Sequence, residues 1–286
     1  KLAGERGANA TGEYIADNFK REAMKVPLLR ELLMTDSVYI ASNITFNNLA
    51  PLSTYLGKPG DPARGGIRRI LLTASGGPFR TRAPAELAAV TPDQACAHPN
   101  FSMGRKISVD SATMMNKALE VIEARWLFDL PPDQIKVVIH PQQIIHSMVQ
   151  FKDSSILAQM GTPDMRVPIA CGLAWPERIA SGASTLDFAT LNALSFEDAD
   201  AIRFPGLHLS WQALKAVEGT TAVLNAANEV AVEAFLSGRL RFDHIHAVNL
   251  ATLDAVSPSK PDSLEALLAL DAQARDVAEH TAGRLA

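Results

Sequence analysis

Four polar side chains between positions 111 and 120 have residue types and a spacing that suit phosphate and metal chemistry. Asn116, Lys117 and Glu120 stand at positions i, i+1 and i+4, so on a helix Lys117 and Glu120 share one face. We expect this helix to begin near Ser111, and the free N–H groups of such a helix start favour an anion. Carboxylate oxygens are the ligands that hard cations prefer. A phosphorylated polyol with a divalent metal fits these groups, and a solvated helix face with a Lys–Glu pair fits them equally well.

A second candidate is the triplet Ser75-Gly76-Gly77, which directly follows a predicted strand over 67–73. Glycine lets the backbone approach a phosphate closely, and the serine adds a hydroxyl to the N–H groups of the bend. A simple strand-ending turn is the commoner meaning of such a triplet. The binding hypothesis requires this bend to face the side chains of Lys117 and its neighbours.

The polar segment from Arg80 to Arg105 is long for a loop inside a compact domain, and loops of this kind are often functional lids. His98 lies in it, and a histidine on a lid can contact substrate or transfer protons. We interpret the other four histidines that stand near predicted strands and helices as structural: His140, His146, His244 and His246.

The elements that must position these residues change character along the chain. Residues up to about 190 mix strand and helix patterns, with strands predicted over 67–73, 136–140, 147–151 and 155–159, a short capped helix after Thr91, and a helix over about 112–128. From Leu191 onward the pattern is helical, with helices predicted over 221–236, 244–256 and 263–285. We therefore expect an α/β (α+β) domain with a mixed sheet over 64–190 and a helical bundle domain over 191–286. Residues 1–63 form a divergent N-terminal segment.

Composition excludes several classes of protein. The 286 residues are 47% hydrophobic and 20% charged, which is enough apolar material for a core and excludes global disorder. A net charge of −4 argues against a nucleic-acid-coating protein, and no apolar run reaches the roughly 18 residues of a membrane helix. Cys96 and Cys171 lack a CxxC or CxxH partner, so we expect neither a disulfide framework nor a zinc site. We expect a cytoplasmic location for the same reason. The glycines near the start do not have the G-x-G-x-x-G spacing of a dinucleotide-binding turn.

Four segments resemble the 1-deoxy-D-xylulose 5-phosphate reductoisomerase family: ILLTASGGPFR (70–80), TPDQACAHPNFSMGRKISVDSATMMNKALEVIEARWLF (91–128), IHPQQIIHSMVQFKDSSILAQMGTPDMRVPIA (139–170) and LNAANEVAVEAFL (224–236). The resemblance covers the chain from about residue 64 onward. It implies an enzyme of non-mevalonate isoprenoid biosynthesis that rearranges a metal-chelated phosphosugar and then reduces the aldehyde with NADPH to 2-C-methyl-D-erythritol 4-phosphate. It also implies Mn²⁺ or Mg²⁺ as the metal and a homodimer as the assembly.

The resemblance implies roles for individual residues. Substrate-binding residues would be Ser75, His98, Ser111, Asn116, Lys117 and Glu120, of which His98, Lys117 and Glu120 would be catalytic. Glu120 would also bind the metal, and Gly104, with Met103 beside it, would contact NADPH through the backbone.

The chain departs from the family pattern at three places. Phe101 replaces a tryptophan, and the Gly-rich turn of the family's N-terminal NADPH-binding domain has no counterpart in the sequence. Asp36-Ser37-Val38-Tyr39 stands where the family has Asp-Ser-Glu-His, so Asp36 is the single candidate to replace a lost metal ligand. Two alternatives follow: a truncated or degenerate, inactive phosphosugar-binding or dimerising relative, and a metal-dependent phosphosugar isomerase that works without nicotinamide.

Overall fold

A computed structural model describes residues 65–97, 104–174 and 177–286 of the chain. The predictions for residues 1–63, including Asp36, and for His98, Phe101 and Met103 lie outside these ranges. The described part contains five strands and eight α-helices. The strands are β1 (Ile67–Ala74), β2 (Ile135–Ile139), β3 (Ile145–Phe151), β4 (Ile156–Met160) and β5 (Glu197–Asp198). The helices are α1 (Pro92–Cys96), α2 (Arg105–Thr113), α3 (Met115–Phe128), α4 (Arg166–Ala174), α5 (Pro205–Lys215), α6 (Thr220–Leu236), α7 (His244–Ala255) and α8 (Leu264–Leu285).

The five strands form one mixed sheet in the order β4-β3-β1-β2-β5. β1 runs parallel to β2 and antiparallel to β3, and β3 and β4 form an antiparallel pair. β1 lies in the middle of the sheet, with Ile70 and Leu72 fully buried on one face and Leu71 partly buried on the other. The predicted fold class, a mixed sheet followed by a helical region, is confirmed.

The register of the sheet brings several strand ends to one edge. Ala74 pairs with Ile139, so parallel β1 and β2 end side by side. Antiparallel β3 begins at this edge, and its first residue, Ile145, pairs with Met160 at the end of β4. Ser75, His140, His146 and Gly161, which follow or begin these strands, therefore belong to the same edge.

The helix expected to begin near Ser111 begins four residues later, and this prediction was wrong. Ser111 lies in the last turn of α2, and Met114 adopts a left-handed conformation with φ 65° that ends the helix. The Thr113 hydroxyl then accepts a hydrogen bond from the Met115 N–H at 3.3 Å, which satisfies one free donor at the start of α3. The polar run is therefore divided between the end of one helix and the start of the next.

The two helices on either side of this break pack into different cores. Ala118, Val121 and Ile122 of α3 pack with the buried face of β1 and with α5. Val109 and Ala112 of α2 pack with α6, α7 and α8 of the helical region. Met114 thus stands where the sheet core meets the helical core.

The predicted elements of the helical region are confirmed over α6, α7 and α8, and Gly238, at φ 74°, follows the end of α6 as expected. The domain division at residue 191 stays a prediction. The sheet takes its last strand, β5, from beyond that position. No helix in the described ranges is long and apolar enough to cross a membrane, and both cysteines are free thiols.

Candidate phosphate and substrate site

The start of α3 carries a buried cation beside a buried carboxylate. Lys117 Nζ lies 2.5 Å from Glu120 Oε2, and the two side chains are 6% and 1% exposed. Asn116 Nδ2 donates to Glu120 Oε1 at 3.5 Å, so all three polar groups converge as the spacing predicted. The first ladder bond of α3 runs from the Ala118 N–H to the Met114 carbonyl, so the N–H groups of Asn116 and Lys117 precede the ladder. An ammonium and a helix start together favour an anion.

The serine-diglycine bend lies directly against the end of α2. Both glycines have positive φ, 82° at Gly76 and 68° at Gly77, and the Ser75 hydroxyl accepts a hydrogen bond from the Gly77 N–H at 3.1 Å. A Cβ placed on Gly77 would lie 2.6 Å from the Ser111 carbonyl oxygen. The bend therefore brings Ser75 and Ser111 to the same region, and glycine is required for that approach.

Replacing Gly77 with alanine is expected to destabilise the protein by about 2–4 kcal/mol, because it adds a backbone clash to an unfavourable positive φ. Urea denaturation measures the loss. Gly238→Ala is a matched control, since Gly238 has a similar φ of 74° but no atom within 4 Å of its Cβ position. If both variants lose the same stability, the close approach to Ser111 carries no energy of its own.

Two histidines interpreted as structural lie at the same sheet edge. For His140 the interpretation is confirmed, because its Nδ1 lies 2.9 Å from the Ser195 carbonyl oxygen and its Nε2 accepts from the Ile144 N–H. His146 differs. Burial lowers its pKa to about 4, and the neighbouring Lys117 and His140 also lower it. A neutral imidazole beside Lys117 therefore belongs to the candidate site, and the sequence analysis missed it.

His146 makes folding stability depend on pH. The unfolded histidine takes up a proton near its usual pKa of about 6.5, whereas the folded one stays neutral to about 4. The effect of His146 on the free energy of unfolding is absent above the unfolded pKa of about 6.5. As the pH falls from there toward 4, this residue lowers the free energy of unfolding by up to about 3 kcal/mol. We expect His146→Gln to reduce this acid-induced loss in urea denaturation across that window, and exposed His280→Gln to leave it unchanged. Parallel pH curves for the wild type and His146→Gln would contradict the neutral state.

The described residues do not by themselves make a complete metal site. Among them no three histidine, cysteine or acidic side chains cluster closely enough to hold an ion. Glu120 offers a carboxylate, but Lys117 already occupies one of its oxygens. The buried Asn116 Oδ1 accepts no hydrogen bond and is a further oxygen beside it. Hard cations take six or more oxygens and Mg²⁺ usually keeps several waters, so Glu120 and Asn116 would supply only part of the coordination.

The remaining candidates are placed as follows. Gly104 is exposed and stands immediately before α2, where it accepts hydrogen bonds from the Ser108 N–H and hydroxyl. Among the described residues, no atom lies within 4 Å of a Cβ placed at Gly104, so the space beside its α-carbon is open. His98 and Met103 lie outside the described residues, so their predicted roles stay predictions.

A buried polar chain, which sequence analysis missed, holds α2 against the helical region. Asp110, next to Ser111, is 0% exposed; its Oδ1 accepts from Asn228 Nδ2 at 2.8 Å and its Oδ2 lies 2.6 Å from Lys106 Nζ. Asn249 Nδ2 in turn donates to Asn228 Oδ1 at 3.3 Å. No local pattern could have indicated a contact between residues 118 positions apart.

Comparisons with known proteins agree on one family. A family model described as the DXP reductoisomerase C-terminal domain matches residues 160–277, and a second, described as the 1-deoxy-D-xylulose 5-phosphate reductoisomerase C-terminal domain, matches residues 52–128. The 1-deoxy-D-xylulose 5-phosphate reductoisomerase of Ralstonia nicotianae is 62% identical over 215 residues, which are 75% of this chain and 55% of that protein. That of Acidithiobacillus ferrooxidans is 63% identical over 213 residues, 74% of this chain and 54% of that protein. The chain thus spans little more than half the length of these relatives.

Solved structures of 1-deoxy-D-xylulose 5-phosphate reductoisomerases share the fold of this chain. The reductoisomerase of Zymomonas mobilis in complex with NADPH is 49% identical, with a TM-score of 0.72, covering 77% of this chain and 56% of that one. A DOX-P reductoisomerase in complex with NADPH, fosmidomycin and magnesium is 41% identical, with a TM-score of 0.76, covering 84% of this chain and 61% of that one.

Proposed function

Because the chain belongs to the 1-deoxy-D-xylulose 5-phosphate reductoisomerase family, we propose that it binds the phosphosugar of that reaction at the edge where β1, β2 and β3 meet. The reaction would be the NADPH-dependent conversion of 1-deoxy-D-xylulose 5-phosphate to 2-C-methyl-D-erythritol 4-phosphate. The observation that carries the proposal is that one edge of the sheet holds the Ser75 bend, packed against Ser111, and His146, which has the buried Lys117 ammonium as a neighbour.

The phosphate is proposed to bind to Ser75, Ser111, Asn116 and Lys117. A phosphate dianion needs several donors and a cation, and the bend, the helix start and the Lys117 ammonium supply both. Lys117 is buried and therefore acts in a poorly screened environment, which strengthens its attraction for an anion. Neutral His146 adds no charge there but offers a donor or an acceptor to the sugar.

The cofactors proposed for this chain are NADPH and a divalent cation, Mg²⁺ or Mn²⁺. Solved reductoisomerase structures are complexes with NADPH and magnesium or with magnesium alone. Gly104, with its open backbone before α2, is proposed to contact NADPH, and Glu120 to be one metal ligand. Water, substrate oxygens or residues outside the described ranges would supply the other ligands. A homodimer is proposed as the assembly.

The function is tested with the purified chain, 1-deoxy-D-xylulose 5-phosphate, NADPH and Mn²⁺. We expect calorimetry to detect substrate binding, and a loss of NADPH absorbance that depends on the substrate. Binding without turnover would favour an inactive phosphosugar-binding relative, and an aldehyde formed without NADPH would favour an isomerase that works without nicotinamide. Failure of the folded chain to bind the substrate would contradict the proposed site.

A further inference from the structure

A cavity lies behind the α2–α3 junction, between the sheet core and the helical core. Its volume is about 170 Å³, and it is partly open to solvent. Its wall is mainly apolar and includes Phe79, Leu87, Met115, Phe204 and Phe242. None of Ser75, Lys117 and Glu120 lines it, so the cavity is separate from the candidate substrate site.

Three buried polar atoms that have no hydrogen-bond partner among the described residues belong to residues that line this one cavity. They are Arg203 Nε, His246 Nδ1 and Asn249 Oδ1. Buried polar atoms are almost always hydrogen-bonded, and each exception calls for an explanation. Three such atoms around one cavity indicate that a bound molecule completes them.

The unmet acceptor on Asn249 follows from the charge of Asp110. The Asp110 carboxylate can only accept from an amide, so Asn228 must present its Nδ2 and leave its Oδ1 facing Asn249. Asn249 must then donate its own Nδ2 to Asn228. Its Oδ1 is left without a donor among the described residues, and turning the amide over would break the Asn249–Asn228 hydrogen bond.

The charges around the cavity favour an anion. Arg203 donates from Nη1 to the Arg80 carbonyl at 2.8 Å and has no carboxylate within ion-pair distance among the described residues. Asp243 also lines the cavity, but Arg241 pairs with it at 2.5 Å. The uncompensated charge on the wall is therefore the Arg203 guanidinium, a group suited to bind carboxylates.

We propose that this cavity is a second ligand site, which binds a small amphipathic carboxylate with its apolar body against the phenylalanines and its head on Arg203. A single ring matches such a pocket, since ligand sites are mostly apolar with a few convergent polar groups. His246 and Asn249 would accept or donate further hydrogen bonds at the polar end. This site goes beyond the proposed reaction and does not depend on it.

The test is a fluorine NMR titration of the full chain with 4-fluorophenylacetate, and with neutral 4-fluorophenylacetamide as the matched ligand. We expect saturable binding of the acid and at least about tenfold weaker binding of the amide, since the charged hydrogen bond is worth about 1.5–3 kcal/mol. Arg203→Met should weaken binding of the acid by a similar factor. Arg82→Met is the control, because Arg82 stacks on Phe79 at 5.0 Å without lining the cavity.

A second variant keeps the test decisive if Arg203→Met fails to fold. Leu87 is partly buried and lines the cavity, so Leu87→Trp should fill the cavity and abolish ligand binding. The thermal unfolding temperature of this variant should stay close to that of the wild type. Non-saturable or equal binding of the acid and the amide would overturn the proposal. Loss of binding in Lys117→Met but not in Arg203→Met or Leu87→Trp would also overturn it, because it would assign the carboxylate to the substrate site.

Discussion

Lys117→Met is expected to weaken binding of 1-deoxy-D-xylulose 5-phosphate by about 10- to 100-fold, because it removes the one buried ammonium that α3 presents near its start. It should also lower the free energy of unfolding by about 3–5 kcal/mol. The reason is that Glu120, 1% exposed, loses the cation 2.5 Å from its carboxylate. Methionine retains the apolar stem of lysine, so packing changes little. Calorimetry measures the affinity and urea denaturation the stability.

The two effects of Lys117→Met separate in a double variant. Adding Glu120→Gln removes the uncompensated carboxylate, so much of the stability should return while the phosphate affinity stays low. Lys152→Met is the control for charge, because Lys152 is exposed in the β3–β4 turn. Unchanged affinity in a folded Lys117→Met protein would show that this ammonium serves Glu120 and not a phosphate.

Asn228→Asp is expected to lower the free energy of unfolding by about 3–5 kcal/mol near neutral pH. The substitution keeps the shape of the side chain but replaces a donor, 2.8 Å from the buried Asp110 carboxylate, with a second negative charge. Two carboxylates at this distance are stable together when they share a proton, so the loss should shrink in mildly acidic buffer. Because Asp110 precedes Ser111, phosphosugar affinity should fall as well.

Gln273→Glu is the control for Asn228→Asp, since it makes the same amide-to-acid change at an exposed position of α8. Urea denaturation of both variants at the two pH values measures the difference. Equal losses would show that the hydrogen bond between α2 and α6 contributes nothing to stability.

Local sequence patterns were sufficient to locate most strands and helices. Thr91 and Gln94 form the capping box that begins α1, and Gly238 follows the end of α6, because caps depend on side chains within a few residues. The apolar residues of β1 predicted a buried strand for the same local reason. The convergence of Asn116, Lys117 and Glu120 also followed from helix spacing alone.

The sequence by itself therefore determined the family, the first four strands and the polar groups at the start of α3. It did not predict α2, α4, α5 or β5. The tertiary structure decided where that start lies, because packing of α2 and α3 into different cores places a left-handed residue at Met114, and methionine has no local preference for that conformation. It also brought His146 beside Lys117, through the register of β3, and Asn228 onto Asp110. Such contacts join residues far apart in the chain, so their geometry depends on how sheet and helices pack and not on any local pattern.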